Sequence, residues 1–237
     1  FHNSKVSSKI QQIEADSMKF DFSKAARDYK KLDRLVLTHD ANVLDDYKRT
    51  KEAFEPIDDE TANKLIREIE KNGFFHSRYD CEDDEDILQV IPYLLLVDSK
   101  DRAFTYVRAT NIKDYGDERL FGKYSIGIGG HITALDSPEY IKSCLERERK
   151  EEVTVSGRIS APKLIGTLRA YDKPVDRVHF GLIYALNTNG EIKGNEKSIT
   201  SLGMRDLSFL KSNLEKFETW SRILIPYLPM ISKMTRN

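Results

Sequence analysis

The chain has 237 residues, of which 39% are hydrophobic and 32% charged, and this suffices for one well-buried core with an extension or for two small domains. Its 38 basic and 39 acidic side chains leave a formal net charge of -1, so no global attraction draws nucleic acid to the chain and such a partner is not favoured. Two cysteines, Cys81 and Cys144, are too few for a disulfide framework and favour a reducing, cytoplasmic setting, while the longest apolar run, residues 90–97, is too short to span a bilayer.

Residues 1–85 are predicted to form a mainly helical N-terminal extension. Its clearest helix covers residues 58–74, where acids stand at the start, Leu65 and Ile69 lie on one stripe, and Gly73 ends the helix. We expect this extension to dock a partner, either a second copy of the chain or an upstream domain, and the sequence leaves the two alternatives open.

The pattern changes after the acidic stretch at residues 82–86, which is predicted to be a solvated linker. The continuous apolarity of residues 88–97 indicates a strand buried on both faces, and residues 102–109 are predicted as the next strand. In residues 122–132, bulky side chains alternate with serine and glycine, which leaves one strand face almost bare and open to close approach.

Strands are predicted again at residues 158–170 and 177–186, and a helical stretch at residues 207–228. Together with one well-marked helix between the strands, this order predicts an α+β domain with αβα layers over residues 86–237.

The helix between the strands raises the question of function. Asp136 or Ser137 caps it, and it is predicted to run from about Pro138 to Val153. Its inward stripe consists of Ile141, Cys144 and Leu145, and the next positions on that stripe are Glu148 and Glu152. As like charges at i and i+4, these two acids cost about 0.2 to 0.5 kcal/mol, and more where water is excluded.

Two interpretations of this helix end remain open on periodicity alone. The helix has left the core and its acids are solvated, or Glu148, Glu151 and Glu152 converge on a hard divalent cation, for which clustered carboxylate oxygens are suitable ligands.

Residues 130–155 resemble the Nudix box, written G-x5-E-x7-R-E-U-x-E-E-x-G-U, in which U is a bulky aliphatic residue. Glu139, the pair Arg147-Glu148 and the pair Glu151-Glu152 match its central part in register. The segment between Gly130 and Glu139 is three residues longer than in the box, Arg149 replaces the aliphatic residue after Arg-Glu, and Thr154 replaces the late glycine.

The resemblance implies a Nudix-type αβα sandwich with a mixed sheet. It implies that Glu148, Glu151, Glu152 and the carbonyl of Gly130 bind Mg²⁺ or Mn²⁺, and that Arg147 pairs with Glu139 to brace the loop against the helix. All of these except Gly130 then form the catalytic set.

The activity implied is metal-dependent hydrolysis of a nucleoside diphosphate linked to another group, through attack of water on phosphorus. Arg108, His131 and His179 are the candidate contacts to this nucleotide-type substrate, because each places a polar group near the predicted glycine strand or on a polar strand face. The alternative is a non-catalytic, regulatory Nudix-like module that binds a nucleotide without turning it over, an alternative motivated by the longer loop and opposed by the intact acids.

Overall fold

A computed structural model describes residues 35–47, 53–108, 122–195 and 199–236 of the chain. Its strands are β1 Leu35–Asp40, β2 Phe54–Pro56, β3 Phe74–Ser77, β4 Ile87–Val97, β5 Ala103–Arg108, β6 Tyr124–Ser125, β7 Gly127–Gly129, β8 Val153–Val155, β9 Lys163–Leu168, β10 His179–Asn187, β11 Ile192–Gly194 and β12 Ile199–Arg205. Its helices are α1 Ala41–Asp45, α2 Asp59–Asn72, α3 Arg78–Cys81, α4 Tyr140–Glu152, α5 Pro174–Arg177, α6 Leu207–Ser212, α7 Thr219–Leu224 and α8 Leu228–Met234. Short 3₁₀ turns lie at Ala134–Asp136, Leu214–Lys216 and Ile225–Tyr227.

Ten strands form one mixed sheet. Six of them follow the order β12-β5-β4-β10-β9-β2, while β1 and β7 pair with β4, β3 pairs with β1, and β6 pairs with β5. Strand β4 pairs with β10 in parallel along most of its length, whereas the opposite edge of β4 is shared in turn by β1, β7 and β5 in antiparallel register. Strands β8 and β11 form a separate antiparallel pair. The predicted buried strand at residues 88–97 is therefore the centre of the sheet.

Strand β4 is apolar throughout because both of its faces are covered. Alternate residues belong to two cores: Leu94 lies in the core under helices α2 and α4, while Leu95 lies in the core under the C-terminal helices α6, α7 and α8. Strand β10 repeats this alternation with Leu182 and Ile183. The predicted αβα layers around a mixed sheet are thus confirmed.

The structure differs from the predicted helical extension in residues 35–85. Helix α2 occurs as predicted and begins at the capping carboxylate of Asp58, but β1, β2 and β3 belong to the main sheet. The pairing of β1 with β4 places the acidic stretch at residues 82–86 within the folded layer and not between domains. Strand β1, residues 35–40, was missed because its four buried residues follow a basic stretch that mimics helical spacing. Residues 1–34, with the rest of that prediction, lie outside the described residues.

The bare face of residues 127–129 is occupied by the neighbouring strand. A Cβ added to Gly127 would lie 1.9 Å from the ring of Tyr93, and one added to Gly129 would lie 2.2 Å from the carbonyl oxygen of Pro92. Both cysteines are free and buried, and in the part of the chain described no helix has the length and apolarity needed to cross a membrane. The cytoplasmic location stays a prediction.

Candidate active site

Helix α4 turns its two predicted acids inward to different extents. Ile141, Cys144 and Leu145 are buried as the periodicity predicts, and Glu152 continues their stripe with only 4% of its surface exposed. The carboxylate of Glu148 is 15% exposed, whereas that of Glu151 is 50% exposed. The end of α4 is therefore not a solvated surface, since two of its carboxylates are held against the protein.

Gly130 provides the space that Glu148 occupies. A Cβ at position 130 would lie 2.2 Å from Oε1 and 2.6 Å from Cδ of Glu148, distances that no real contact shows. Burial raises the pKa of Glu148, and the neighbouring Arg147 acts in the opposite direction. The predicted partners Gly130 and Glu148 are thus in direct contact, with the carboxylate in a partly desolvated setting.

Arg147 braces the loop against the helix, but it does so through Asp136 and not through Glu139. Its Nε donates to Oδ1 of Asp136 at 2.8 Å and its Nη2 donates to Oδ2 at 3.1 Å, a two-point contact to a carboxylate that is 3% exposed. Asp136 also accepts from the backbone N–H of Thr133, and Nη2 of Arg147 donates to the carbonyl of His131. The loop from residue 131 to 136 is therefore held to α4 by one guanidinium.

The predicted pair of Arg147 with Glu139 is wrong. Glu139 lies before the first turn of α4, and its side chain is 65% exposed. Its carboxylate forms an ion pair with Nζ of Lys142 at 3.0 Å. The physical reason is the position of the extra residues: five residues separate Gly130 from Asp136, as the box pattern requires, and ten separate Asp136 from Arg147. The three additional residues thus lie after the bracing acid. The pattern assigned this role to Glu139 because an aspartate, Asp136, stands at the position where the box has glutamate.

Gly130, Glu148 and Glu152 form one wall of a cavity of about 500 Å³, which we term the acidic wall. A volume of this size is typical of sites for small organic ligands. The three residues predicted to contact substrate also line the cavity: Arg108, His131 and His179. Glu151 and Arg147 do not belong to the lining, and Arg147 Nη1 lies 2.6 Å from Glu148 and 3.5 Å from Glu151.

The two histidines of the cavity are linked to each other. Nε2 of His131 donates to Oε1 of Gln89 at 2.8 Å, Nε2 of His179 lies 3.3 Å from Nε2 of His131, and Nδ1 of His179 donates to the carbonyl of Val175 at 2.6 Å. Burial lowers the pKa of His131 well below its ordinary value, and the positive charge of Arg78 acts in the same direction. His131 is therefore a neutral hydrogen-bonding group near pH 7.

Residues from four further segments contribute to the cavity and were not predicted from the sequence. Asp176 of α5 is buried, and its Oδ2 has no hydrogen-bond partner among the described residues. Burial raises the pKa of Asp176, while Lys173 opposes that shift. The other additions are Arg78, Lys123, Lys173, Phe217, Trp220 and Arg222. The local patterns around these residues predicted a strand, a turn or a helix, and none of them indicated a cavity.

The acidic wall suits a divalent cation by the chemistry of its donors. Two carboxylates, of Glu148 and Glu152, and the backbone of Gly130 face one cavity, and hard cations prefer such oxygen ligands. Within residues 35–47, 53–108, 122–195 and 199–236, no three acidic, histidine or cysteine side chains already converge on one point. Glu148 and Glu151 are both drawn towards Arg147, so cation binding would compete with this guanidinium.

Comparison with known proteins gives matches over most of the chain. No family model matches it. Protein YmaB of Bacillus subtilis is 27% identical over 209 residues, which cover 84% of this chain and 98% of YmaB. The crystal structure of Tm1382, described as a candidate Nudix hydrolase, superimposes with a TM-score of 0.66 at 28% identity and covers 82% of this chain and 97% of Tm1382.

A bifunctional NMN adenylyltransferase/ADP ribose pyrophosphatase of Francisella tularensis, in complex with AMP and a manganese ion, also matches. Its TM-score is 0.43 at 16% identity, over 61% of this chain and 42% of that protein, and such a likeness supports no inference about activity. The match to Tm1382 differs because it covers most of both chains at a higher TM-score and a higher sequence identity.

Proposed function

Because this chain belongs to the Nudix hydrolase superfamily, we propose that it is a metal-dependent pyrophosphohydrolase that cleaves a nucleoside diphosphate linked to another group. The observation that carries the proposal is the cavity in which Gly130, Glu148 and Glu152 meet Arg108 and two histidines. A diphosphate bound there would have the carboxylates for its cations and the guanidinium of Arg108 for its own oxygens.

Glu148 and Glu152, with Glu151 and the carbonyl of Gly130 beside them, would hold Mg²⁺ or Mn²⁺. When bound, the cation supplies the positive charge that stabilises the diphosphate oxygens in the transition state. Arg147 and Asp136 are positioning residues, because their ion pair fixes the loop of Gly130 on the helix that carries the acids.

The remaining lining residues bind and orient the substrate. Arg108 presents a guanidinium, which suits phosphate oxygens. The neutral His131 donates its Nε2 proton to Gln89, so its Nδ1 can accept a hydrogen bond from a hydroxyl or amino group of the substrate. The proton of the attacking water has to pass to a carboxylate, and Glu148, Glu152 and Asp176 are the candidate acceptors of the lining. Burial raises the pKa of Glu148 and that of Asp176, which favours proton uptake by these two acids.

The test is turnover of a panel of diphosphate-linked nucleotides with Mg²⁺ or Mn²⁺ by the wild type, Glu152→Gln and Glu146→Gln. Glu146 lies on the exposed side of the same helix and pairs with Lys150, so it is the matched control. We expect turnover to need the cation and to fall by at least about a thousandfold in Glu152→Gln only. Nucleotide binding without turnover on the whole panel would contradict the proposal and support the non-catalytic module.

A further inference from the structure

Three cations of the cavity lack an ion pair. Lys123 precedes β6, Lys173 precedes α5 and Arg222 lies on α7, and we term them the basic cluster. No acidic side chain among the described residues lies within ion-pair distance of any of them. In contrast, Arg78 has Glu82 at 3.5 Å, and the guanidinium of Arg108 lies 5.6 Å from the ring centre of Tyr106.

None of the acids Glu218, Glu215 and Asp176 of the lining forms an ion pair with the basic cluster among the described residues. The carboxylate of Glu218 accepts from the hydroxyl of Tyr93 at 2.7 Å and from the backbone N–H groups of Trp220 and Ser221 at 2.8 Å each, so it cannot turn towards the cluster. Glu215 is exposed to solvent. Asp176 is buried and lies near Lys173 without forming an ion pair.

The surroundings of the basic cluster strengthen its attraction for an anion. Phe217 and Trp220 line the same cavity and are 2% and 8% exposed, so this part of the lining is apolar and only partly hydrated. Charges act more strongly across such a surface than across water. Three cations without an ion pair among the described residues therefore line the cavity together with two aromatic side chains, and such a lining favours an anion.

We propose that the basic cluster binds a phosphate group that the substrate carries in addition to its bridging diphosphate. This inference rests on the proposed function, which places the bridging diphosphate beside the acidic wall. A phosphate monoester has a charge of about −1.5 to −2 near pH 7, more than one phosphate of a bridging diphosphate, and three cations from three segments match it. The substrate class is thus a nucleoside diphosphate derivative with a phosphomonoester on the sugar or on the leaving group.

The first experiment measures binding without turnover. Trp220 is the only tryptophan of the chain and lines the cavity, so its fluorescence reports ligands directly. Two pairs of probes differ by one ribose phosphate: NADP⁺ against NAD⁺, and coenzyme A against dephospho-coenzyme A. With EDTA present, we expect the phosphorylated member of at least one pair to bind about tenfold more tightly to the wild type.

Variants assign that preference to the basic cluster. Lys173→Ala and Arg222→Gln should each lower the affinity ratio of that pair towards one, and Lys211→Ala on the exposed surface of α6 should leave the ratio as in the wild type. Because neither Lys173 nor Arg222 has an ion pair to lose, the variants should fold, and the emission of Trp220 checks this. Lys123→Ala is a third, independent member of the set.

Two results would overturn the proposal. Equal binding of both members of each pair by the wild type would mean that the extra phosphate is not recognised, and an equal loss for both members in the variants would assign the cations to the bridging diphosphate. Failure of the proposed function alone would give a different result. The phosphorylated probe would still bind more tightly in EDTA, but no probe of either pair would be hydrolysed after Mg²⁺ or Mn²⁺ was added.

Discussion

The acidic wall and the basic cluster face the same cavity but are built in opposite ways. Gly130, Glu148 and Glu152 come from one loop and the helix that follows it, and a single arginine holds the loop to the helix. The basic cluster comes from three segments between residues 123 and 222, and no acid of the described part of the chain forms an ion pair with it.

The two sides of the cavity also differ in which groups are held rigidly. On the acidic side, the carboxylates have set positions because Gly130 and Arg147 leave Glu148 little freedom. Beside the basic cluster, the fixed element is instead the carboxylate of Glu218, which joins β4 to α7 through Tyr93 and Ser221. In the proposed function, the carboxylates that would hold the metal ion are thus fixed in place, whereas the long side chains of the basic cluster would adjust to a phosphate.

The largest expected effect comes from removing the brace of the acidic wall. Asp136→Ala would leave Arg147 without its buried partner, and we expect the free energy of unfolding to fall by about 2 to 3 kcal/mol, somewhat less than for a fully buried pair because Arg147 is partly exposed. Turnover should fall as well, because the Gly130 loop loses its anchor.

Glu139→Ala is the matched control, since it removes the acid that the sequence pattern indicated. Its only side-chain partner among the described residues is the exposed Lys142, so the stability should stay unchanged within the error of urea unfolding followed by the emission of Trp220. Equal losses in the two variants would contradict the assignment of Asp136 as the brace.

The contact between Gly130 and Glu148 can be broken without removing a charge. In Gly130→Ala the new methyl group would displace the carboxylate of Glu148, and we expect turnover to fall by about a hundredfold, as misplacement of a reacting or metal-binding group by about 1 Å does. Gly194→Ala on β11 is the control, because the nearest atoms to its methyl group among the described residues would be those of Ile199, at 3.2 Å or more. A fully active Gly130→Ala would exclude this contact from the site.

The acidic wall could be predicted from the sequence because it is local. Helical spacing places Glu148 and Glu152 on the stripe of Ile141, and the structure buries Glu152 as that spacing indicates. The bracing acid was assigned wrongly, since Asp136 has the right distance from Gly130 but is one methylene shorter than the glutamate of the pattern. Local spacing fixes the direction of a side chain but not the loop that meets it.

The rest of the site depends on strand order, which the sequence did not indicate. Lys123, Lys173 and Arg222 become neighbours of one cavity only because β4 pairs with β10 in parallel and α7 packs across both. Strand β1 was not predicted for a related reason. Its pairing with β3 and β4 stabilises it as a strand, and its own short sequence pattern does not indicate that pairing. Non-local pairings leave no trace in the spacing of residues along the chain.

The stability of the region around Glu218 should depend on the hydroxyl group of Tyr93. Tyr93→Phe removes the hydroxyl that donates to Glu218 and lies 3.0 Å from Oγ of Ser221 and 3.1 Å from Oγ of Ser125. We expect a loss of about 1 to 2 kcal/mol in the free energy of unfolding, because the carboxylate keeps its backbone donors but loses a buried partner.

Tyr124→Phe tests whether that loss belongs to the hydroxyl network. Tyr124 packs edge-on against Phe217 beside the same cavity, and its hydroxyl makes no hydrogen bond to the residues described. It should therefore unfold as the wild type does, and a loss as large as that of Tyr93→Phe would mean that any tyrosine in this region is needed for packing.

A smaller change is expected in the rates at which the thiols of Cys81 and Cys144 react with iodoacetamide. Iodoacetamide reacts with the thiolate, and burial raises the pKa of Cys81 to about 11 and that of Cys144 further, so neither should be labelled quickly at pH 8. Cys144 lies behind the acidic wall, 3.7 Å from the carbonyl oxygen of Gly130 and 3.6 Å from that of His131, whereas Cys81 lies on α3. In Asp136→Ala the lower global stability should accelerate labelling of both thiols, and the additional opening of the loop should accelerate that of Cys144 a few-fold more than that of Cys81. Equal acceleration of both thiols would mean that Asp136 stabilises the whole fold and has no particular relation to the acidic wall.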